Sequence, residues 1–329
     1  GVVQGVGFRP FIYNLAISMG LNGEVSNNGY GVLILLDATQ EKVDEFIQSI
    51  GENRLPLSEI DSIKITQIKK TKPFEGFSIE MSKSTKLLSG KIPSDIAMCS
   101  ECESELLDKT NRRFEYPFIT CLNCGPRFSI IKNLPYDRKN TSMDEFVMCQ
   151  ECLNEYENPK DRRYHAETIG CHKCGAKLSL FDNSGKKIES KNIIDEAVEA
   201  IRSGKIVAIK GIGGYHLVCD ASNDSAVKLL RERKQRPSKP FGVMLKDVET
   251  AKSIAIMSVK EQELLSSNRR PIVLLQKRDS DFISLHVAPN MSQIGLFLAY
   301  TPLHHLVLQR LNRPIVATSA NISDEPLCK

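Results

Sequence analysis

Four CxxC pairs constrain this chain more than any other feature. They fall at Cys99/Cys102, Cys121/Cys124, Cys149/Cys152 and Cys171/Cys174, in the spacing CxxC-x18-CxxC-x24-CxxC-x18-CxxC. The stretch MCSECESELLDKTNRRFEYPFITCLNCG begins at Met98, and MCQECLNEYENPKDRRYHAETIGCHKCG begins at Met148, a 50-residue repeat without a gap. Two residues between cysteines let both thiolates face one ion from a tight knuckle, and two knuckles complete a tetrahedral four-cysteine site. These pairs take eight of the ten cysteines, which is metal arithmetic and not a disulfide framework. Redox CxxC motifs usually come singly in a βαβ setting. The spacing therefore predicts two structural zinc ions with no open ligand position. Pairing of knuckles within each repeat is the simplest arrangement; pairing of the first knuckle with the fourth is the alternative. Each repeat is poor in apolar residues, so metal is expected to supply much of its folding energy. His165 and His172 are candidate substitutes, but four thiolates already satisfy each site and both read as surface histidines.

The flanking regions read differently. Before the repeats, Phe8, Phe11, Ile12, Leu15, Ala16 and Met19 recur at helical spacing up to Gly20 and Gly23. Short apolar runs follow at Glu24–Ser26 and Val32–Leu36 around the turn residues Asn27, Asn28 and Gly29. Val43, Phe46, Ile47 and Ile50 mark a second helix closed by Gly51, and Ile63–Ile68 and Phe77–Met81 look like two more strands. One strand placed before Gly1 would make this βαββαβ, a ferredoxin-like sandwich. Ser82–Gly90 reads as a linker, as does the polar stretch Asp182–Lys191.

After the repeats the pattern is α/β. Lys205–Ile209, Phe241–Leu245, Pro271–Gln276 and Ile315–Ala320 are strand candidates. A helix begins after Asn223 and ends in RERKQRPSKP, and Thr301-Pro302 forms an N-cap and N1 pair for another. This region stops at Lys329 with no closing element, so it reads as a truncated domain. The expected fold class is α+β multidomain, with domains at 1–82, 96–180 and 190–329.

Composition narrows the function. Net charge is +4 and there is no Trp among 329 residues, so stacking platforms for nucleic acid are not indicated. No apolar run reaches the length of a membrane span, and the first residues lack the pattern of a signal peptide. Unpaired thiols fit a reducing cytoplasm.

Two stretches carry candidate chemistry. In GVVQGVGFRPF, Gly5, Gly7 and the amides between them can form a nest of N–H donors before a helix N-terminus, with Arg9 as an anion clamp. A glycine-rich turn with a surface arginine explains the pattern equally well. VQGVGFRPF resembles the acylphosphatase signature loop, and Gly23-Glu24-Val25-Ser26-Asn27 matches that family's second element. The resemblance implies that Arg9 binds the phosphate and Asn27 positions the attacking water, with no metal or nucleophile.

RKQRPSKP, TSANIS and KGIGGYHL together resemble the YrdC family, which forms carbamoyl-type adenylates from ATP. The resemblance implies that Lys234, Arg236, Lys239, Ser319 and Asn321 hold nucleotide phosphates and that Lys210 borders the acyl end. For His216, His304 and His305, core or capping roles are at least as good a reading. One family joins all three modules in this order, the HypF hydrogenase maturation carbamoyltransferases. The doubled RR motifs beside the cysteines and RPSKPF followed by YTPLHHL and TSAN carry that resemblance. Ala288-Pro289-Asn290, Phe297–Tyr300 and Ala176-Lys177 depart from the family pattern. What it implies is hydrolysis of carbamoyl phosphate, carbamoyl-adenylate formation with ATP and Mg, and transfer to the C-terminal cysteine of HypE by a domain not seen in this sequence. Threonylcarbamoyl-adenylate synthesis for tRNA modification is the enzymatic rival. A zinc-dependent RNA-binding protein is the non-enzymatic one, and the charge and low aromatic content argue against it.

Overall fold

A computed structural model of the chain describes residues 1–55, 57–69, 73–82, 91–279 and 282–321. The chain divides into two compact units, Gly1–Asp95 with Ile119–Gly175, and Ile96–Phe118 with Ala176–Lys329.

The first unit opens with α1 (Phe8–Ser18), β1 (Asn22–Asn28), β2 (Gly31–Asp37), α2 (Gln40–Glu52) and β3 (Phe77–Ile79). The sheet order is β2-β1-β3, an antiparallel hairpin with β3 parallel to β1. Phe8, Ile12 and Ala16 stand one helical turn apart on α1 and are buried with Val25, Phe46, Ile50 and Phe77. Helix and sheet thus share one apolar core, and that core sets where the loop before α1 lies relative to β1.

Three expectations are corrected in this region. Gly51 lies inside α2, which runs to Glu52 and is closed by Asn53. The last strand ends at Ile79. Ile63–Ile68 forms no strand, and Ile63, Ile65 and Ile68 are 50, 55 and 64% exposed. Alternating isoleucines suit a pleated ribbon, but a ladder needs a second backbone, and none among the described residues pairs with this segment.

Each cysteine repeat opens on a short helix capped by a cysteine, α3 (Ser100–Leu107) on Cys99 and α4 (Gln150–Glu157) on Cys149. The same return contact closes each repeat: Glu115 N–H to Leu106 O at 2.8 Å, and His165 N–H to Tyr156 O at 2.9 Å. Glu115 and His165 sit at φ 56° and 54°, so the repeat seen in sequence is also one in backbone conformation.

The polar stretch after the repeats is not pure linker: β4 (Leu180–Phe181) and β5 (Lys187–Ile188) pair as a small hairpin. Then follow α5 (Ile193–Arg202), β6 (Val207–Lys210), β7 (Tyr215–Asp220), α6 (Asp224–Lys234), β8 (Gly242–Leu245), α7 (Val248–Ile254) and β9 (Ala255–Ile256). The unit continues through α8 (Val259–Ser266), β10 (Val273–Lys277), β11 (Gln293–Leu298), α9 (Pro302–Leu311) and β12 (Ile315–Ser319). Seven strands form one mixed sheet in the order β6-β7-β12-β8-β11-β10-β9. Two buried clusters pack on it, one with Leu230 and Phe241, the other with Ile201 and Leu308. The predicted caps are present: Asn223 accepts from Ala226 N–H, and Thr301 from His304 N–H ahead of Pro302. Residues 83–90 of the expected linker and residues 322 and 323 of TSANIS lie outside the described residues.

Candidate active site and metal centres

The loop before α1 has the conformation that its glycines permit. Gly5 and Gly7 adopt φ 70° and 77°, left-handed values that cost a side-chain-bearing residue energy. Space also selects glycine at position 5, where a Cβ would lie 3.0 Å from Pro93 Cγ and 3.3 Å from Arg127 Cδ. Gly7 caps α1 without a side chain. No backbone carbonyl of the described residues accepts from the N–H groups of Gly5, Val6, Gly7, Phe8 or Arg9. Gln4, 3% exposed, anchors the loop: its Nε2 donates to Asn28 O and Gly31 O at 2.8 Å each, and its Oε1 accepts from Tyr136 N–H at 2.9 Å.

Arg9 is buried, not a surface arginine. Its Nη1 lies 3.0 Å from Asp137 Oδ1 and its Nη2 donates to Glu167 Oε1 at 2.9 Å. The other oxygen of Glu167 accepts from Tyr156 Oη and Arg138 N–H, both at 3.0 Å. Burial pushes the Glu167 carboxyl upward, and the Arg9 charge is the main pull against it. The guanidinium read in sequence as an anion clamp is therefore oriented by two carboxylates.

Asn27, on β1 and 1% exposed, keeps its side-chain oxygen buried with no hydrogen-bond partner among the described residues. A buried acceptor in that state is costly unless it has a ligand or water to bind. Asn27 lines one pocket of ≈ 20 Å³ together with Gly5, Gly7, Arg9, Tyr136 and Glu167. The volume suits about one water molecule. His165 lines the same pocket, which corrects its reading as a surface histidine. Burial first, and then the Arg9 charge, lower its imidazole to about 4, so it is neutral near pH 7.

Sequence reasoning missed Glu167, Tyr136 and Arg127 as lining residues of this pocket, and Asp137 as a partner of Arg9. A signal existed for Glu167. It stands where the first repeat has Pro117, an apolar-to-acidic change of the kind also seen where Glu157 stands in place of Leu107.

The cysteines assemble as the simpler pairing predicted. Within each repeat the four sulfurs lie within 4.8 Å of one another: Cys99, Cys102, Cys121 and Cys124, then Cys149, Cys152, Cys171 and Cys174. Sγ–Sγ separations are 3.7 Å for Cys149–Cys171 and Cys171–Cys174, 3.5 Å for Cys152–Cys174 and 3.8 Å for Cys121–Cys124. Zinc–sulfur bonds of about 2.3 Å put tetrahedral edges near ~3.8 Å, so these sets fit zinc. Burial of Cys171 opposes ionisation, but N–H groups of Cys174 and Lys173 and the neighbouring thiols outweigh it and bring the thiol down to about 6. A thiolate is the form that binds metal.

In the second unit the basic strip folds back on the end of β12. Lys234 Nζ donates to Ser319 O at 2.8 Å and also to Asn321 O. Arg236 Nη1 reaches Thr318 Oγ1 at 3.4 Å, and Ser319 Oγ donates to Asn321 Oδ1. Lys239 joins through its carbonyl, which accepts from Arg236 Nε at 3.1 Å. The strip is shaped by Arg231, missed in sequence, which donates to Arg236 O at 2.7 Å and Lys239 O at 3.2 Å. Lys210 is exposed, with its ammonium 5.6 Å from the Tyr215 ring centroid. His304 is fully buried, its imidazole lowered to about 3 by burial and by His216 and His305, while His305 lies 3.2 Å from Glu103 and from Ala299 O. Among the described residues no helix is long and apolar enough to cross a membrane.

Known proteins match each of these regions. Residues 1–79 fit the acylphosphatase family model, 98–131 and 148–181 the HypF finger, and 199–329 the Sua5/YciO/YrdC model described as telomere recombination. The carbamoyltransferase HypF of Synechocystis sp. is 46% identical over 100% of this chain and 43% of its own length. A probable carbamoyltransferase HypF of Methanocaldococcus jannaschii is 47% identical over the same shares, 100% and 43%. A crystal structure of full-length HypF in the phosphate- and nucleotide-bound form superposes with a TM-score of 0.94 at 43% identity, covering 100% of this chain and 43% of that one. The chain thus spans less than half the length of these relatives. With its acylphosphatase-like region, paired four-cysteine fingers and YrdC-like region in that order, the chain belongs to the HypF carbamoyltransferase family.

Proposed function

We propose that this chain carries two catalytic stations of a carbamoyltransferase of [NiFe] hydrogenase maturation, on domains at 1–82 and 190–329, with the zinc fingers of 96–180 between them in sequence. The observation that carries the reading is the buried, unpartnered oxygen of Asn27 in the same pocket as Arg9 and the left-handed glycines. Amide donors and Arg9 hold the phosphate of carbamoyl phosphate, and Asn27 orients a water toward phosphorus. The new P–O bond forms as the bond to the carbamoyl oxygen breaks. Carbamate leaves with the electron pair, and the phosphate takes the proton.

At the second station Lys234, Arg236, Lys239, Ser319 and Asn321 bind the phosphates of ATP, and Lys210 borders the acyl end. Magnesium bound with ATP offsets the charge of the phosphates. The carbamate oxygen attacks the α-phosphorus, so pyrophosphate leaves and carbamoyl-adenylate remains. The acceptor is the C-terminal cysteine of HypE, on the way to cyanide ligands, and the compartment is the reducing cytoplasm.

Two assays test this. Wild-type protein should release phosphate from carbamoyl phosphate and Arg9→Ala should not, with zinc content unchanged; equal release by both rejects the first station. ATP–pyrophosphate exchange should depend on carbamoyl phosphate. Exchange driven instead by threonine with bicarbonate would favour the tRNA-modification chemistry.

A further inference from the structure

Arg127 is 2% exposed, and its guanidinium has no carboxylate partner among the described residues. All five of its side-chain N–H donors go to backbone carbonyls. Nη1 donates to Cys124 O at 3.0 Å and Pro126 O at 2.8 Å, and Nη2 to Cys121 O at 3.2 Å and Leu122 O at 2.9 Å. Three of these contacts, to Cys121, Leu122 and Cys124, brace the knuckle that carries the thiols of Cys121 and Cys124. The fifth, from Nε, goes to Gly5 O in the glycine loop. Arg127 N–H in turn donates to Asp95 Oδ1 at 2.7 Å, which fixes the arginine backbone.

The Gly5 carbonyl and the Val6 N–H belong to one rigid peptide plane. A guanidinium on that carbonyl sets which way the Val6 N–H points and polarises it, which strengthens it as a donor. Leu122, in the same knuckle, also packs on the loop, 3.4 Å from where a Cβ on Gly7 would stand. On the other side, a zinc ion with four thiolates carries net negative charge, so the cation braced against this knuckle is favoured by a loaded site.

We infer that Arg127 is a positioning residue that couples zinc held by the Cys121–Cys124 knuckle to anion binding in the Gly5–Arg9 loop. This rests on reading that loop as a phosphate cradle. It goes beyond that reading by making the finger part of the cradle's energetics. Linkage requires the coupling to run both ways: phosphate in the loop must tighten zinc binding by the same factor by which zinc tightens phosphate binding.

The test uses the full chain, inorganic phosphate as ligand and a chromogenic chelator in excess. Calorimetry first establishes phosphate binding to the wild type. The equilibrium partition of zinc between protein and chelator is then measured with and without saturating phosphate, in wild type, Arg127→Lys and Arg127→Met. Phosphate should raise the affinity for one of the two zinc ions about fivefold or more in the wild type, the lower end for coupled sites. The Met variant should lose the effect. The Lys variant, which keeps the charge without the fork, should show less than the wild type. No phosphate binding by the wild type defeats the cradle reading and the coupling with it. Phosphate binding with unchanged zinc affinity defeats the coupling alone, as does an undiminished effect in a folded Arg127→Met protein. If both variants fail to fold, a wild type whose zinc affinity ignores phosphate still defeats the coupling.

Discussion

Arg9 and Glu167, 158 residues apart in the chain, meet through a buried hydrogen-bonded ion pair of 2.9 Å between Nη2 and Oε1. The arginine belongs to the glycine loop and the carboxylate to the second cysteine repeat. Glu167 is itself held by Tyr156 and Arg138, so it orients Arg9 from a fixed position.

Removing that carboxylate charge should cost both stability and turnover. Breaking one side of a buried pair costs about 3–5 kcal/mol where nothing replaces it. Asp137 still faces Arg9, so Glu167→Gln should fall below that range. A double-mutant cycle of Arg9→Met and Glu167→Gln in urea should return a coupling of about 0.5–3 kcal/mol. The Gln variant should also release phosphate from carbamoyl phosphate at least about tenfold more slowly, because the guanidinium loses its set orientation. Additive melts with unchanged turnover would mean the pair is incidental.

Zinc should count two per chain by metal analysis, and Cys149→Ser should bind one. Loss of the second zinc should also disturb the Arg9 pocket, since Tyr156 and Ala166 pack in the same cluster as Cys152 and Cys171, and Ala166 lines the pocket. Phosphate binding by calorimetry should weaken in the variant. Two zinc ions retained after Cys149→Ser would contradict the four-thiolate site.

Much of this is legible in the sequence. The knuckle spacing marks the metal sites, the period of Phe8, Ile12 and Ala16 marks α1, and Gly5 and Gly7 mark a loop needing positive φ. The Ile63–Ile68 signal misleads because alternation records a pleated ribbon's preference, not whether a partner strand is there. The carboxylates around Arg9 are hidden for a different reason. Their role arises from tertiary contact between distant segments, and a lone Asp or Glu in a polar repeat has no pattern of its own. The mismatch of Glu167 with Pro117 is one of several between the repeats, and it needs the Arg9 contact to acquire meaning.

His165 gives the pocket a pH dependence with a definite sign. Its folded value of about 4 lies below the ordinary 6.5, so the unfolded chain binds the proton more readily between them. The stability this neutral imidazole contributes is complete above about 6.5 and is lost as pH falls toward about 4. His165→Asn keeps a residue tolerant of the left-handed backbone at φ 54° and removes the titration. Urea melts at pH 7.5 and 5.5 should show the wild type losing more stability than the variant. Parallel losses would place the titration elsewhere.

ATP binding should be pH-dependent in its own way. Burial and the Arg236 charge lower the Lys234 ammonium, and burial lowers Arg236. A bound triphosphate supplies the opposite charge and should pull Lys234 back up. Binding then takes up protons and tightens as pH falls through the depressed Lys234 value. Calorimetry in two buffers of different ionisation heat should show that uptake for the wild type and not for Lys234→Met. The paired Lys234→Ala, Arg236→Ala variant should bind ATP at least about tenfold more weakly, the loss of roughly one charge-assisted contact at 1.4 kcal/mol per decade. Lys234 Nζ also donates to Ser319 O and Asn321 O, so the Met variant alone should loosen the end of β12. Hydrogen exchange over 315–319 in the absence of ATP separates that structural effect from the electrostatic one. Equal ATP affinity in the double variant would remove the strip from the nucleotide site.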